Sequence, residues 1–240
     1  MKIVLSPSKT KTISAHVEDV CAQFHPQITA SVLEHVKSLD VETLGKALKL
    51  KGDKAAAVHD FYQRHEEYPV GHAGESYDGI AFKYLNWPGL SDRAKRFGER
   101  HLVILSALYG IVEPHMGIRD YRLDMVDRIG INLYDTWRDA VKDYFHKEDW
   151  ILNLASKEYA KMLDHPKIVT AEFWELRGDA YKQMSTSSKM SRGMMAHDCL
   201  MREVKHVCDL PREINGFTCV TDIESITIPS ESMTVRYERK

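Results

Sequence analysis

Three short runs of consecutive apolar residues mark the chain, at residues 3–6, 102–106 and 150–156. Continuous rather than alternating hydrophobicity is typical of strands that are buried on both faces, as in parallel or mixed sheets covered by helices. Each run ends in serine, and ligands of open α/β sheets gather beyond the carboxyl ends of the strands. If the three strands are parallel and adjacent, we expect Ser6, Ser106 and Ser156 to converge there.

A largely helical region is predicted between the first two strands, at about residues 15–67. Residues 31–37 and 41–50 carry apolar side chains at helical spacing, and Asp40 is a suitable N-cap for the second stretch. Gly52 and Asp53 interrupt the pattern, which restarts at residues 54–58. The sequence therefore predicts a helical hairpin insert at about residues 31–67.

The rest of the chain alternates between helical and strand patterns. Residues 68–90, rich in glycine, proline and aromatic side chains, predict a surface excursion or a long functional loop. We expect a helix at 158–163, a β-hairpin of 169–176 and 180–185 around Gly178, a helix at about 191–207, and two β-rich runs within 217–237, the second broken by Pro229. With no clear linker or repeat, we predict one domain over residues 1–240, of mixed α/β fold, with a central mixed sheet flanked by helices.

Composition narrows the functional classes. The chain is 43% hydrophobic and 28% charged with a formal net charge of −2, so a nucleic-acid site has to be a local basic patch on a mixed surface. The N-terminal apolar run is too short for a signal-peptide core, and no run approaches the roughly 20 residues of a membrane span. We expect a cytoplasmic protein without a membrane partner.

The Gly52 turn is the first candidate site, because four lysines surround it: Lys46, Lys49, Lys51 and Lys54. The pattern partly fits a helix-hairpin-helix element, in which a glycine turn brings the free N–H groups of a helix N-terminus to a phosphate. Four phosphate contacts would give a salt slope of about −3.6. The alternative is a solvated helical hairpin whose lysines serve solubility, and Asp53 would repel a phosphate.

The strand ends form the second candidate site, an anion-binding cleft. Hydroxyls, lysines and arginines suit phosphate oxygens, and the candidates are Ser6, Lys9, Thr10, Ser106, Tyr109, Arg122, Ser156, Lys157, Lys189 and Arg192. Catalytic residues are unassigned beyond three candidates: Lys9 for Schiff-base or proton-transfer chemistry if burial lowered its pKa, and Glu158 and Tyr159 for acid–base work. Alternatively, the serines cap helices, and Arg122 pairs with Asp120 or Asp124.

Metal and cofactor sites are not predicted. His197 with Cys199, and His206 with Cys208, would face opposite sides of a continuous helix. His65 and His72, near two glutamates, form only a loose cluster on a loop. No phosphate-binding or dinucleotide motif and no serine nucleophile elbow is present. The cysteines, Cys21, Cys199, Cys208 and Cys219, are interpreted as small buried hydrophobes first and redox sensors second.

Five segments in order resemble the YaaA family of peroxide-stress proteins, at residues 6–10, 105–110 with 120–125, 133–137, 153–159 and 189–194. The chain departs from the family pattern at Glu113, Asp120, Asp124 and Met190–Ser191, so the charge of its cleft is expected to be weaker. The resemblance implies a mixed α/β fold with a basic cleft and a helix-hairpin-helix element. It also implies DNA binding and a role in limiting peroxide damage and available iron.

Three hypotheses follow. The leading one is a stress protein that binds duplex DNA through the Gly52 hairpin and the basic cleft. The second is an enzyme acting on a phosphorylated or nucleotide-like small molecule in the same cleft. The third is a protective scaffold whose partner is another protein.

Overall fold

A large mixed sheet organises the fold. The computed structural model describes residues 1–13 and 15–240. The strands are β1 (Lys2–Leu5), β2 (Gly71–His72), β3 (Leu102–Ser106), β4 (Gly110–Val112), β5 (Gly117–Ile118), β6 (Ile151–Asn153), β7 (Ile168–Arg177), β8 (Ala180–Lys182), β9 (Glu213–Ile214), β10 (Phe217–Cys219) and β11 (Met233–Arg239). The main sheet runs in the order β4-β3-β1-β6-β7-β11-β10-β9, with β8 paired to β7, and β2 and β5 pair separately.

The helices cover this sheet. They are α1 (Pro26–Ser38), α2 (Val41–Ala47), α3 (Asp53–Gln63), α4 (Ala73–Ser76), α5 (Ile80–Leu85), α6 (Asp92–His101), α7 (Leu133–Phe145), α8 (Lys157–Ala160) and α9 (Ser185–Met201). Short 3-10 turns lie at His65–Glu67, Trp87–Gly89 and Val207–Asp209. The predicted class, a mixed α/β fold with a central sheet flanked by helices, is confirmed.

The three apolar runs form the middle of the sheet. β1 lies between β3 and β6 and is parallel to both, with Ile3 opposite Leu102 on one side and Leu152 on the other. Ile3 and Val4 are fully buried, as are the residues of β3. The prediction of adjacent parallel strands, buried on both faces, is confirmed. Such strands have no face left for polar side chains, which explains why their sequences are apolar without interruption.

The helical hairpin begins earlier than predicted, at Pro26, and α2 is shorter than its predicted stretch whereas α1 and α3 are longer. Pro26 occupies the first turn of α1, where its missing N–H costs nothing. Asp40 is the N-cap of α2, its carboxylate accepting a 2.8 Å hydrogen bond from the Thr43 N–H. α2 ends at Ala47 rather than continuing to residue 50, and residues 15–25 are not helical.

The prediction of a surface excursion or long loop at residues 68–90 is wrong. This segment contains β2, α4 and α5, and its aromatic side chains Tyr77, Phe82 and Trp87 are buried in the core. Glycine and proline predict a loop, but the aromatic residues between them bury apolar surface against other helices: α5 packs on α9, and Trp87 lies beside Gly98 of α6.

The C-terminal third follows the sequence pattern with shifted boundaries. β7 and β8 form the predicted hairpin, with Gly178 at φ +63° in its turn. α8 is one turn long rather than the expected six residues, and α9 occupies Ser185–Met201 rather than 191–207. Of the two β-rich runs predicted within 217–237, the first contains β10, and the second forms β11 only after Pro229, where it pairs with β7 in parallel. None of the helices in the described part of the chain is long and apolar enough to cross a membrane.

Candidate functional site

A cavity of about 680 Å³ lies at the carboxyl ends of β1 and β6. Its walls come from the loop after β1, the end of the α2–α3 hairpin, the start of α5, the loop at residues 122–127, the start of α8 and one face of α9. The predicted candidates that line it are Ser6, Lys9, Thr10, Lys49, Arg122, Ser156, Glu158, Tyr159, Lys189 and Arg192. We call this cavity the main cleft.

Two of the three strand-end serines meet in the main cleft. The Ser6 hydroxyl donates to the Ser156 hydroxyl at 3.2 Å and accepts a 2.8 Å hydrogen bond from the Ser156 N–H. The ladder between β1 and β6 continues one step beyond the strands, with the Leu154 N–H donating to the Val4 carbonyl at 2.9 Å. Parallel pairing therefore brings together two hydroxyls that are 150 residues apart in sequence.

Ser106, Tyr109 and Lys157 do not line the main cleft, so their predicted position there is wrong. Ser106 is fully buried, donates to the Tyr121 hydroxyl at 2.9 Å, and accepts hydrogen bonds from the N–H groups of Leu108 and Tyr109. The buried Tyr109 hydroxyl accepts from the Arg119 N–H at 3.0 Å. β3 turns at once into β4, so its terminal serine closes a tight turn instead of facing the cleft.

An acidic cluster balances part of the charge in the main cleft. The Lys9 ammonium lies 2.6 Å from Asp124, and the Tyr159 hydroxyl donates to the same carboxylate at 3.3 Å. Asp127 accepts from the Asp124 N–H, and Glu158 accepts from the Val126 N–H. Neither Asp124 nor Asp127 is among the site residues predicted from the sequence, in which Asp124 stands out as a possible partner of Arg122 and as a departure from the family pattern.

Burial shifts the proton affinities of this cluster. It raises the pKa of Glu158 and Asp127, and the charge of Asp124 raises both further. Burial also raises the pKa of the Tyr159 hydroxyl. Carboxyl groups with raised pKa values keep their proton closer to neutral pH, which suits them to general acid–base chemistry.

The condition set for amine chemistry at Lys9 is not met, because its side chain is 68% exposed and ion-paired. The buried lysine is Lys11, whose side chain is 1% exposed. It donates to the Tyr121 carbonyl at 2.7 Å, lies 3.2 Å from Asp120, and sits 3.9 Å from the centre of the Tyr121 ring. Burial lowers its pKa. Lys11 fixes the loop that leads into Arg122 and Asp124.

Three cations of the main cleft are not neutralised. In the described ranges, no carboxylate lies within 4.0 Å of Arg122, Lys189 or Arg192. Asp120 and Asp124, the partners considered for Arg122, pair with Lys11 and Lys9 instead. The Arg192 Nε is buried without a hydrogen-bond partner, and burial lowers the pKa of that guanidinium. A guanidinium in this state is prepared to accept an anion.

The Gly52 hairpin adjoins the main cleft. Lys49 and Leu48 line the cavity from the end of α2, while Lys51 and Lys54 flank the turn outside it. Gly52 has φ +54°, a conformation that glycine adopts without a steric penalty, and Lys49 also has a positive φ, +57°. Lys46 differs from the other three lysines, because it is ion-paired with Glu42 at 2.6 Å.

The hairpin and the cleft are also joined through Tyr62 of α3. Its hydroxyl donates to the Arg122 carbonyl at 2.7 Å and accepts from the Arg122 N–H at 3.0 Å. A displacement of α3 would therefore move the backbone that carries Arg122. This contact has no sequence signal, because it joins residues 60 apart.

The two histidine–cysteine pairs do not share one continuous helix, which the sequence pattern predicts for them. α9 ends at Met201, so His206 and Cys208 do not continue the helix that carries His197 and Cys199. His65 is buried and bonded to the Asp120 carbonyl at 3.1 Å. Among the residues that the structure describes, no three histidine, cysteine, aspartate or glutamate side chains lie close enough to hold a metal ion.

The cysteines differ in exposure more than expected. Cys199 is fully buried, as predicted for a small hydrophobe, whereas Cys21 is exposed and Cys208 and Cys219 are half-buried. All four are free thiols.

Comparison with known proteins places this architecture in a family. A profile of the family described as "Peroxide stress protein YaaA" matches residues 1–220. A "UPF0246 protein" of Finegoldia magna is 34% identical over 228 residues, covering 91% of this chain and 90% of the relative. Another, of Agathobacter rectalis, is 31% identical over 258 residues, covering 100% of this chain and 99% of the relative.

Proposed function

Because the chain belongs to the peroxide stress protein YaaA family, we propose that it acts in the oxidative-stress response by binding nucleic acid, with duplex DNA as the ligand. Family membership supports the general stress role. The proposal includes a contribution to the control of available iron, which the family resemblance implies. No residue is assigned to this role. We also propose a cytoplasmic location, which gives access to that ligand.

The observation that carries this proposal is the position of Lys49. It belongs both to the lysine-ringed turn and to the lining of the main cleft. The unneutralised cations of the turn (Lys49, Lys51 and Lys54) therefore continue into those of the cleft. A polyanion held at the turn would meet Arg122, Lys189 and Arg192 next, although the net charge of the chain is −2.

The turn is suited to backbone contact rather than to reading base sequence. α3 begins directly after Gly52, which offers no capping side chain, so the first turn of α3 lies beside Lys51 and Lys54. Asp53 in this first turn weakens the local positive potential, and the three lysines outnumber it. Such contacts position a protein on a duplex without sequence specificity.

The test is a titration of a fluorescent duplex with the wild type and with the triple variant Lys49→Glu, Lys51→Glu and Lys54→Glu. Lys147→Glu is the control, because Lys147 precedes Glu148, which pairs with the N-terminal ammonium at the other end of β1. We expect the triple variant to bind more weakly and to have a salt slope shallower by about 2.7, because three phosphate contacts are lost and repulsion is added. Equal affinities for the triple variant and the wild type would refute the hairpin contact.

A second candidate function is an enzyme acting on a phosphorylated or nucleotide-like small molecule. Two observations favour it: the partnerless Arg192 Nε, and the acid–base group of Asp124, Glu158 and Tyr159 in a cavity of small-ligand size. Thermal-shift measurements with mononucleotides and inorganic phosphate test it. Stabilisation of the wild type that disappears in Arg192→Met supports the idea, and the absence of any stabilising compound counts against it.

A further inference from the structure

The main cleft has the wrong size for a duplex. Its volume of about 680 Å³ lies within the range of pockets that bind small molecules. A base stacked inside a duplex cannot enter such a pocket and has to be unstacked first. If nucleic acid reaches the cleft from the hairpin, the segment inside it is therefore unpaired.

The mouth of the main cleft offers apolar surface as well as charge. Ile80, at the start of α5, and Val126, in the loop between Asp124 and Asp127, both line it and are 38% and 50% exposed. An exposed Val126 in a loop otherwise rich in charge is a surface on which the face of a base could rest. Together with the cations on the cleft wall, this matches the two chemistries of a nucleotide, an apolar base and an anionic phosphate.

Arg192 lies between the main cleft and a second cavity of about 300 Å³, and lines both. Its position is set by close packing of α9 on α5: a Cβ atom on Gly193 would lie 2.1 Å from the Ala81 carbonyl oxygen. The buried Arg192 Nε has no partner. Because Arg192 borders both cavities, a phosphate placed between them would lie beside its guanidinium.

The second cavity carries its own cations. Lys157 and Lys161 both line the second cavity, although the sequence predicts Lys157 in the main cleft. Neither ammonium has a carboxylate within 4.0 Å among residues 1–13 and 15–240. The acidic residue in the lining is Glu172, which accepts a hydrogen bond from the Trp174 indole at 3.0 Å. With Arg192 included, cations exceed acids by two.

We propose that an unpaired segment of nucleic acid occupies both cavities, with one phosphate at Arg192 between them and the next two against Lys157 and Lys161, one at each lysine. Bases of the segment rest on Ile80 and Val126 at the mouth of the main cleft. This inference rests on the proposed nucleic-acid binding and adds the class of ligand: a duplex with a single-stranded tail or gap, rather than a fully paired one. It also assigns the second cavity, which the duplex contact leaves unused.

The experiment compares two fluorescent DNAs, a blunt duplex and the same duplex with a single-stranded tail of about ten nucleotides, which is within the site size of single-strand binders. Three added single-strand phosphate contacts predict a salt slope steeper by about 2.1 for the tailed DNA. Lys157→Gln with Lys161→Gln should remove about 1.4 of this difference, and Arg192→Met about 0.7. The blunt duplex should bind Lys157→Gln with Lys161→Gln and the control Lys147→Gln as it binds the wild type.

The outcomes separate this inference from the duplex contact on which it rests. Equal affinities and slopes of the wild type for blunt and tailed DNA would overturn the inference and leave the hairpin contact intact. A preference for the tailed DNA that survives Lys157→Gln with Lys161→Gln would overturn the path through the second cavity. The hairpin triple variant should weaken both DNAs alike; if it weakens neither while the tail preference depends on Lys157 and Lys161, the duplex contact fails and the single-strand path stands.

Discussion

The ion pair between Glu42 and Lys46 allows the hairpin charge to be increased as well as removed. Sequence alone counted four lysines at the turn, but the Lys46 ammonium lies 2.6 Å from Glu42. Lys49, Lys51 and Lys54 have no carboxylate within 4.0 Å in the described part of the chain. If these three contact phosphates, the hairpin contributes about −2.7 to the salt slope rather than about −3.6.

The perturbation is Glu42→Gln, which releases Lys46. One further phosphate contact should steepen the slope by about 0.9, so the hairpin part of the fall in affinity between 50 and 200 mM salt should increase from about 40-fold to about 150-fold. An exposed i,i+4 ion pair contributes little to stability, so the fold of α2 should be unchanged. Removing an acidic residue is thus expected to increase the salt dependence of binding.

The assay is fluorescence anisotropy with a blunt duplex at four salt concentrations in that range. Asp143→Asn is the charge-matched control. Asp143 lies in the last turns of α7, and its substitution changes the net charge by the same amount as Glu42→Gln. The reasoning is refuted if Glu42→Gln leaves the slope unchanged, or if Asp143→Asn steepens it equally, because the effect would then depend on net charge alone.

Three further predictions concern the fold and the acidic cluster. Gly193→Ala should lower the free energy of unfolding by about 1–3 kcal/mol in urea denaturation, because its Cβ would collide with the Ala81 carbonyl oxygen at 2.1 Å; a wild-type midpoint would contradict the packing of α9 on α5. Ser106→Ala should cost about 1–3 kcal/mol in the same assay, since it leaves the buried N–H groups of Leu108 and Tyr109 without their acceptor, and an unchanged midpoint would show that water replaces the hydroxyl. Burial raises the folded-state pKa of Glu158 above the ordinary value of 4.5, so ionisation disfavours the folded state. Glu158→Gln should therefore become more stable relative to the wild type as pH rises from about 4 to about 8, and a difference independent of pH would remove Glu158 from the titrating groups.

Much of the sheet could be predicted because its signals are local. Residues 3–6 and 102–106 are apolar without interruption, and such runs fit strands buried on both faces whatever their partners are. The same applies to Asp40, whose capping bond joins residues three apart. The burial of Tyr77 and Trp87 could not be predicted, because it depends on distant residues: Tyr121 bonds the Tyr77 hydroxyl, and α6 lies beside Trp87.

The residues of the candidate site also include some whose positions follow from local sequence signals and some whose positions do not. The meeting of Ser6 and Ser156 could be expected from the sequence, because each of these serines ends an apolar run of the same kind. Ser106 ends a similar strand, yet the antiparallel return of β4 buries it, and nothing within residues 102–106 indicates that turn. Lys157 follows Ser156 directly, but its side chain lines the second cavity instead of the main cleft.

The amino-acid sequence by itself determined the buried parallel strands, the glycine turn with its lysines and the membership of a family, since these depend on periodicity, backbone sterics and local composition. Tertiary structure alone decided which charges remain free. Lys9 is neutralised by Asp124, 115 positions away, Lys11 by Asp120, and Arg192 by no described carboxylate within 4.0 Å. Coulomb interactions depend on distances in space, and in a folded chain those distances are set by packing between elements rather than by separation along the sequence.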